Sequence, residues 1–229
     1  MYTLYIANKN YSSWSLRPWI LMRELGIPFD ERLLLFEPTP VQKAFLAISP
    51  SGRVPCLLDG ETRVWDSLAI TEYLGERQLD VWPAEQQARA WARSAAAEMH
   101  SGFQALRSQC SMSCGVRIRL NQISESLAND LERIEALWTE GLERFGGPFL
   151  AGQRFTAVDA FFAPVAFRVQ TYSLKLFARS SQYVARLLAL PGMGRWYADA
   201  LAETARDLPH DAEILGYGKL TQDLRAAAI

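Results

Sequence analysis

A small α/β domain followed by a helical domain is the architecture this sequence predicts, and two observations carry it. The first is a hairpin signature, Cys56-Leu57-Leu58-Asp59-Gly60-Glu61-Thr62-Arg63-Val64-Trp65. Asp59-Gly60 supplies the positive-φ positions of a tight two-residue turn, so 56–58 and 62–65 pair antiparallel. The second is a change of character at Trp82-Pro83-Ala84, beyond which Ala, Arg, Glu and Leu dominate and apolar residues recur at helical spacing.

The elements follow in order. Residues 1–8 are a short apolar run, and Tyr11-Ser12-Ser13-Trp14-Ser15 is a polar loop. Residues 16–25 carry apolar side chains at helical spacing, stopped by Gly26 with Pro28 beyond. That is strand, loop, helix. Residues 29–36 read as a second strand, and 40–48 as a short helix closed by Ser49-Pro50-Ser51-Gly52. Adding the hairpin and a helix over 67–78 gives βαβαββα, the thioredoxin-like topology of four strands with helices on both faces. The predicted domains are therefore 1–80, thioredoxin-like, and 86–229, all-α. In the second, Ile123, Leu127, Leu131, Ile134, Trp138, Leu142 and Phe145 form one buried stripe of a long helix. Thr156 then opens an apolar helix as N-cap, with Asp159 as its reciprocal partner in a capping box.

Composition narrows the function classes. With 24 basic and 25 acidic residues and no Lys/Arg block, neither nucleic acid nor an anionic membrane surface is an expected partner. No apolar run approaches the ~18 residues that span a bilayer, and the N-terminus lacks an export pattern, so the expected location is cytoplasmic. Cys56, Cys110 and Cys114 make an odd count, which argues against a disulfide framework. Only His100 and His210 could join Cys110 and Cys114 on a metal, and no metal is expected.

The residues around the hairpin carry the chemistry. Pro55 stands at a strand mouth, where the X-Pro bond favours trans by only about 0.5–1 kcal/mol and can turn the Val54 backbone toward a ligand. Asp66-Ser67 opens the next helix, with Ser67 as the expected N-cap, and such a terminus offers unpaired N–H groups to a carboxylate. Together these read as a site for a small peptide. In the loop after the first strand, where thioredoxin-like redox proteins carry Cys-x-x-Cys, the chain has Ser12-x-x-Ser15. No protein thiol sits there to exchange, but a hydroxyl can donate to a thiolate that a ligand brings.

Ser12-Ser13-Trp14-Ser15-Leu16-Arg17, Val54-Pro55, Asp66-Ser67, and Gly147-Pro148-Phe149-Leu150-Ala151-Gly152 before the Thr156 box resemble the cytosolic glutathione transferases. The serine-type zeta and theta classes are most similar, and the resemblance runs from residue 3 to about 205. It implies glutathione as co-substrate, bound by Ser12, Arg53, Val54, Pro55, Asp66 and Ser67, and a small electrophile as second partner. Val54 would pair with the cysteinyl backbone, Asp66 with the γ-glutamyl ammonium, Ser67 with its carboxylate, and Arg53 with the glycyl carboxylate. Ser12, matching the first serine of the zeta Ser-Ser-Cys-Ser motif, is the implied thiol activator; Ser13 is the runner-up, and Tyr11 and Tyr5 are weighed because other classes use a tyrosine. Ser15 is expected to cap the helix and Arg17 to orient the loop. Trp14 stands where the zeta motif has cysteine, which sets this chain apart from zeta-type isomerases.

The energetics are adequate. A thiol of pKa ~8.5 needs about 1.4 kcal/mol of preference for the anion per unit of depression. A hydroxyl hydrogen bond to an anion contributes about 1.5–3 kcal/mol and a helix N-terminus roughly 0.3–1. The electrophile would lie between Trp14 of the loop and Met99, His100, Phe103, Gln104 and Arg107, which share one broad face of the first helix of the second domain. Three outcomes follow: a glutathione transferase-like enzyme, a cis-trans isomerase of the maleylacetoacetate type, or a non-catalytic glutathione-binding protein. The resemblance also implies a homodimer, with Trp65, Trp91 and Phe103 flanking the seam.

Overall fold

The structure, a computed structural model, describes residues 1–37 and 42–227. The first half holds β1 (Tyr2–Ile6), α1 (Ser13–Glu24), β2 (Phe29–Leu33), α2 (Lys43–Ile48), β3 (Cys56–Asp59), β4 (Thr62–Val64) and α3 (Ser67–Gly75). This is the expected βαβαββα order; the first residues of the expected 40–48 helix, Pro40 and Val41, lie outside the described residues. The sheet order is β2-β1-β3-β4, with β1 parallel to β2 and antiparallel to β3. Leu4, Ile6 and Leu57 turn one face of it onto Leu16, Trp19 and Ile20 of α1, all without solvent exposure. The hairpin forms, but its turn is displaced by one residue. Asp59 pairs with Thr62, so the loop is Gly60-Glu61, and only Gly60, at φ +59°, takes the left-handed region. One glycine at the first turn position is enough for a type II′ geometry, which leaves Asp59 free to extend the strand.

The second half holds α4 (Gln86–Ser101), α5 (Gln104–Gln109), β5 (Val116–Leu120), α6 (Glu125–Arg144), α7 (Ala157–Tyr172), α8 (Ala178–Leu188), α9 (Pro191–Ala202), α10 (Leu208–Tyr217) and β6 (Gly218–Asp223). It is a helical domain with one addition to the all-α expectation: β5 and β6 pair as an antiparallel ribbon, bulged between Arg117 and Ile118. Val116-Arg117-Ile118-Arg119-Leu120 is a period-2 alternation, and its buried Val116 and Ile118 complete the core beneath it. The stripe expected on the long helix is buried at Leu127, Leu131, Ile134, Trp138 and Leu142, while Ile123 precedes the Ser124 N-cap and is exposed.

At the centre lies α7, packed on α1, α4 and α8, with every residue from Ala157 to Arg168 buried. The capping box at its start is present. Asp159 accepts from the Leu150 N–H (3.0 Å), the Tyr183 hydroxyl (2.9 Å) and the Thr156 N–H (2.9 Å), joining α7 to the 147–152 loop and to α8. Tyr183 and Trp138 meet edge to face at 5.0 Å above this node.

The β1–α1 loop is held by the helical domain. Lys9 is buried, and its ammonium reaches Glu31 at 2.6 Å and Asp199 of α9 at 2.7 Å. Its carbonyl accepts from the Trp196 indole at 2.9 Å, and the Lys9 and Asn10 N–H groups donate to Glu203. Asn10 in turn accepts from the Gly115 N–H at 3.0 Å. The aromatic seam expected from the sequence is mostly intramolecular: Phe103 is buried and Trp91 packs on Phe145 at 5.5 Å, so only Trp65, 41% exposed, stands free.

Removing the Asp159 carboxylate strands the buried Leu150 and Thr156 N–H groups and the Tyr183 hydroxyl, and takes an acceptor from the Thr156 hydroxyl as well, each worth about 1–3 kcal/mol when unsatisfied. Asp159→Ala is expected to lower the unfolding free energy by about 3 kcal/mol or more in urea titrations followed by circular dichroism.

Candidate active site

Two adjoining cavities open beside the N-terminus of α1. The smaller, about 300 Å³, is lined by Trp14, Ser51, Arg53, Val54, Pro55, Trp65, Asp66, Ser67 and His100. The larger, about 380 Å³, has Tyr11, Ser12, Ser13, Trp14, Arg53, Val54 and Arg107 among its walls, and shares Trp14, Arg53 and Val54 with the first. Every residue the sequence assigned to the peptide therefore borders one continuous site.

The hydroxyls at its centre are arranged differently from expectation. Ser12, not Ser15, caps α1: its Oγ accepts from the Ser15 N–H at 3.4 Å and donates to Ser15 Oγ at 2.7 Å. Ser15 is fully buried and accepts from the Ala7 N–H at 3.1 Å, so it ties the helix start to β1. Ser13 accepts from Arg168 Nη2 at 3.4 Å, which leaves its hydroxyl hydrogen uncommitted. Tyr11 is bound elsewhere. Its hydroxyl donates to Asp211 at 3.1 Å and accepts from Arg225 at 2.9 Å, and burial together with Asp211 pushes it up to about 12. Tyr5, half-buried on β1, lines neither cavity.

At the smaller cavity the N-cap is again shifted. Asp66 caps α3, accepting from the Leu68 and Ala69 N–H groups, and Ser67 is the first helical residue. Ser67 Oγ is fully buried with no partner among the described residues, on the wall of the cavity. The Val54-Pro55 bond is cis. Asp66 also faces His100 Nε2 at 3.2 Å across the domain seam. Burial lowers the His100 pKa below its usual 6.5, and Asp66 opposes that shift.

Of the residues expected around the electrophile, the structure brings Trp14, His100 and Arg107 to the walls. Met99 is fully buried and lines neither cavity, although its carbonyl accepts from Arg17 and Arg107. Gln104 is turned away to the Ser101 carbonyl at 3.2 Å. Phe103, at φ +60°, breaks the expected single face by ending α4 and starting α5, and its ring enters the core. Arg17, also buried, lies between Trp14 (4.3 Å) and Phe161 (4.9 Å), so it holds the Trp14 ring at the junction of the cavities. Sequence reasoning missed Phe36, Phe45, Ser111, Met112, Arg168, His210 and Glu213 on the larger wall. Arg168 carried a readable signal, as the one charge after Asp159 in the apolar α7. His210 and Glu213 carried none, because they arrive on α10, which folds back so that His210 lies 5.4 Å from the Tyr11 ring and 5.6 Å from Phe36.

The family model for the glutathione S-transferase N-terminal domain matches residues 11–77, and that for the C-terminal domain residues 84–199. The chain belongs to the glutathione S-transferase family. A glutathione S-transferase-like protein of Beauveria bassiana is 25% identical over 173 residues, covering 70% of this chain and 76% of that protein. A probable maleylacetoacetate isomerase of Vibrio cholerae is 28% identical over 171 residues, 71% of this chain and 77% of the other. Among solved structures, an unclassified glutathione S-transferase of Bombyx mori superposes with a TM-score of 0.70 at 20% identity, covering 95% of this chain and 99% of that one. A Burkholderia glutathione transferase homologue with bound glutathione gives 0.63 at 22% identity, over 87% and 97%. These likenesses establish the fold. No helix among the described residues is long and apolar enough to cross a membrane, and none of their His, Cys, Asp and Glu side chains cluster in threes suited to a metal.

The His100 contact gives a pH expectation. A lowered folded pKa means the unfolded chain binds the proton first, so the contribution of the neutral ring is complete above pH 6.5 and is lost as pH falls below it. The His100 midpoint followed by NMR is expected below 6.5, and lower still in Asp66→Asn, which removes the opposing carboxylate.

Proposed function

We propose that the protein is a glutathione transferase that binds glutathione in the smaller cavity and presents its thiolate at the N-terminus of α1 to an electrophile in the larger one. The supporting observation is Ser67: a buried hydroxyl with no partner, at the start of a helix, facing a cavity that leads past Trp14 and Val54 to Ser12 and Ser13. A hydroxyl and a helix terminus of this kind suit the γ-glutamyl carboxylate. Asp66, half-exposed beside it, suits the ammonium, the Val54 backbone the cysteinyl amide, and exposed Arg53 the glycyl carboxylate. The sulfur then falls near Ser12 and Ser13. The resemblance puts the donor at Ser12, whose hydrogen swings from Ser15 Oγ to the thiolate; Ser13, with its hydrogen uncommitted, is the second donor.

Cys110 and Cys114 supply no nucleophile, since burial raises both thiols and neither lines the site. All three cysteines are free, which suits a reducing, cytoplasmic setting. A second reading, glutathione-dependent isomerisation, rests on the Vibrio relative, and differs in product because no conjugate accumulates. Assembly as a homodimer belongs to the same proposal, with exposed Trp65 beside the site as its one aromatic anchor. Sedimentation equilibrium at micromolar concentration is expected to give twice the chain mass; a monomer with full activity would refute it.

Replacing Ser67 with Ala is expected to weaken glutathione binding by about ten-fold or more with kcat at saturation little changed, because its bond is made equally to ground and transition states. Ser12→Ala is expected to do the reverse, lowering kcat by about ten-fold or more. A larger kcat loss in Ser13→Ala would transfer the donor role. Failure of any glutathione to bind by calorimetry would overturn the proposal, and binding without turnover of electrophiles or dienoic acids would leave a carrier rather than an enzyme.

A further inference from the structure

Arg168 is a buried cation that no carboxylate of the described residues compensates. It sits on α7, 3% exposed, in a helix otherwise apolar from Ala160 to Phe167. Its Nε donates to the Cys110 carbonyl at 2.9 Å and its Nη2 to Ser13 Oγ at 3.4 Å, while Nη1 has no partner among the described residues. No carboxylate of the described residues stands within ion-pair distance of it. The guanidinium nevertheless borders the larger cavity. Burial, and the neighbouring charge of Arg107, bring its pKa down to about 10, so it stays protonated at neutral pH.

Arg168 does not stand alone. Arg107 borders the same cavity, half-buried, with its donors spread over the Gly102, Met99 and His100 carbonyls. Arg53 also borders the mouth, but the reading above gives it to the glycyl carboxylate of glutathione. Arg17, fully buried behind Trp14 with Nε and Nη1 unpartnered, adds positive field from beneath. Against them the cavity has one carboxylate, Glu213 on α10, and one imidazole, His210, already bound to Asp207 at 2.6 Å. A buried cation without a counter-ion is strongly disfavoured unless an anion completes it. The carboxylates of glutathione are met elsewhere, by Ser67 and Arg53 at the smaller cavity, whereas Arg168 lies with Ser111 and Met112 on the wall supplied by the helical domain.

We propose that the second substrate is an organic anion: a small electrophile whose carboxylate, or a similar oxyanion, pairs with Arg168 and Arg107. The inference rests on the glutathione reading above and adds the substrate class. With a chloronitrobenzoate, for example, the glutathione sulfur bonds to the ring carbon, chloride leaves with the bonding pair, and the thiol proton passes to solvent. The arginines hold the carboxylate end and take no part in the bonds exchanged. They are positioning residues.

The test compares 4-chloro-3,5-dinitrobenzoate with neutral 1-chloro-2,4-dinitrobenzene, each kcat/KM divided by the rate constant of that compound with free glutathione. The corrected ratio is expected to favour the anion by about ten-fold or more, the size of one charge-assisted hydrogen-bonded pair, and to decline as salt is raised. Arg168→Gln is expected to remove at least about ten-fold of that ratio and Arg168→Lys to restore part of it. No preference in the wild type, or a ratio unchanged in R168Q because both substrates fall together, would overturn the proposal and make Arg168 a thiol-activating or packing residue. Should R168Q not fold, R107Q is read in the same way. A glutathione-free arm keeps the two readings apart: calorimetric titration with 4-nitrobenzoate and with nitrobenzene. Selective binding of the anion, abolished by R168Q, supports the anion site even where no conjugate forms; absence of anion binding in both arms refutes it whatever glutathione does.

Discussion

Everything at the site depends on how the loop between β1 and α1 is held. Asn8, Lys9 and Asn10 are buried; Asn8 is completed within the first domain by the Tyr11, Ser12 and Phe36 N–H groups, and Lys9 reaches Glu31 there, but the other polar groups of Lys9 and Asn10 are met from the far half of the chain by Asp199, Ala200, Glu203, Trp196 and Gly115. Buried backbone donors and a buried ammonium must find partners or the loop would not stay inside. Because those partners come from α9 and the β5 approach, docking of the helical domain is what sets Ser12 and Ser13 at the cavity wall. The α/β domain therefore does not present its hydroxyls alone.

From that anchor the site divides its labour. The cis Val54-Pro55 turn and the start of α3 build a polar cleft suited to a peptide, with Asp66 spent partly on capping and partly on His100 across the seam. The helical domain closes the other cavity with α5, α7 and α10, and there it places Arg107 and Arg168 with Glu213 as the one carboxylate among the described lining residues. Trp14 is the hinge between the two, its ring flanked by Arg17 at 4.3 Å, Arg107 at 4.8 Å and His100 at 5.2 Å. An aromatic at that position is a platform that shapes both pockets.

The C-terminal segment contributes more than a tail. Arg225 joins Tyr11 to Asp211 and is itself held by Asp223, so the end of β6, α10 and the α1 loop are one hydrogen-bonded cluster. That cluster engages the Tyr11 hydroxyl with Asp211 and Arg225, although its side chain borders the larger cavity.

The sequence by itself determined the topology of the first domain and the capping box of α7, and it named the residues proposed for the peptide cleft, since each is written in local chemistry: an Asp-Gly turn, a Val-Pro entry, an Asp-Ser helix start, a Thr-x-x-Asp pair. Local chemistry was also where it slipped, by one residue at the Gly60-Glu61 turn and the Asp66 cap and by three at the Ser12 cap, because nearby polar residues compete for the same role and only hydrogen-bond geometry selects between them. The ribbon of β5 and β6 was legible as alternation in 116–120, but its partner lies about a hundred residues on, a pairing no local pattern specifies. Tertiary structure alone decided the lining of the larger cavity. Periodicity put Met99, Phe103 and Gln104 on one face with Arg107; the left-handed Phe103 broke that face, and Arg168, His210 and Glu213 were delivered from helices remote in the chain. Which long-range elements converge on a cavity is set by packing, and packing is where a single sequence carries least information.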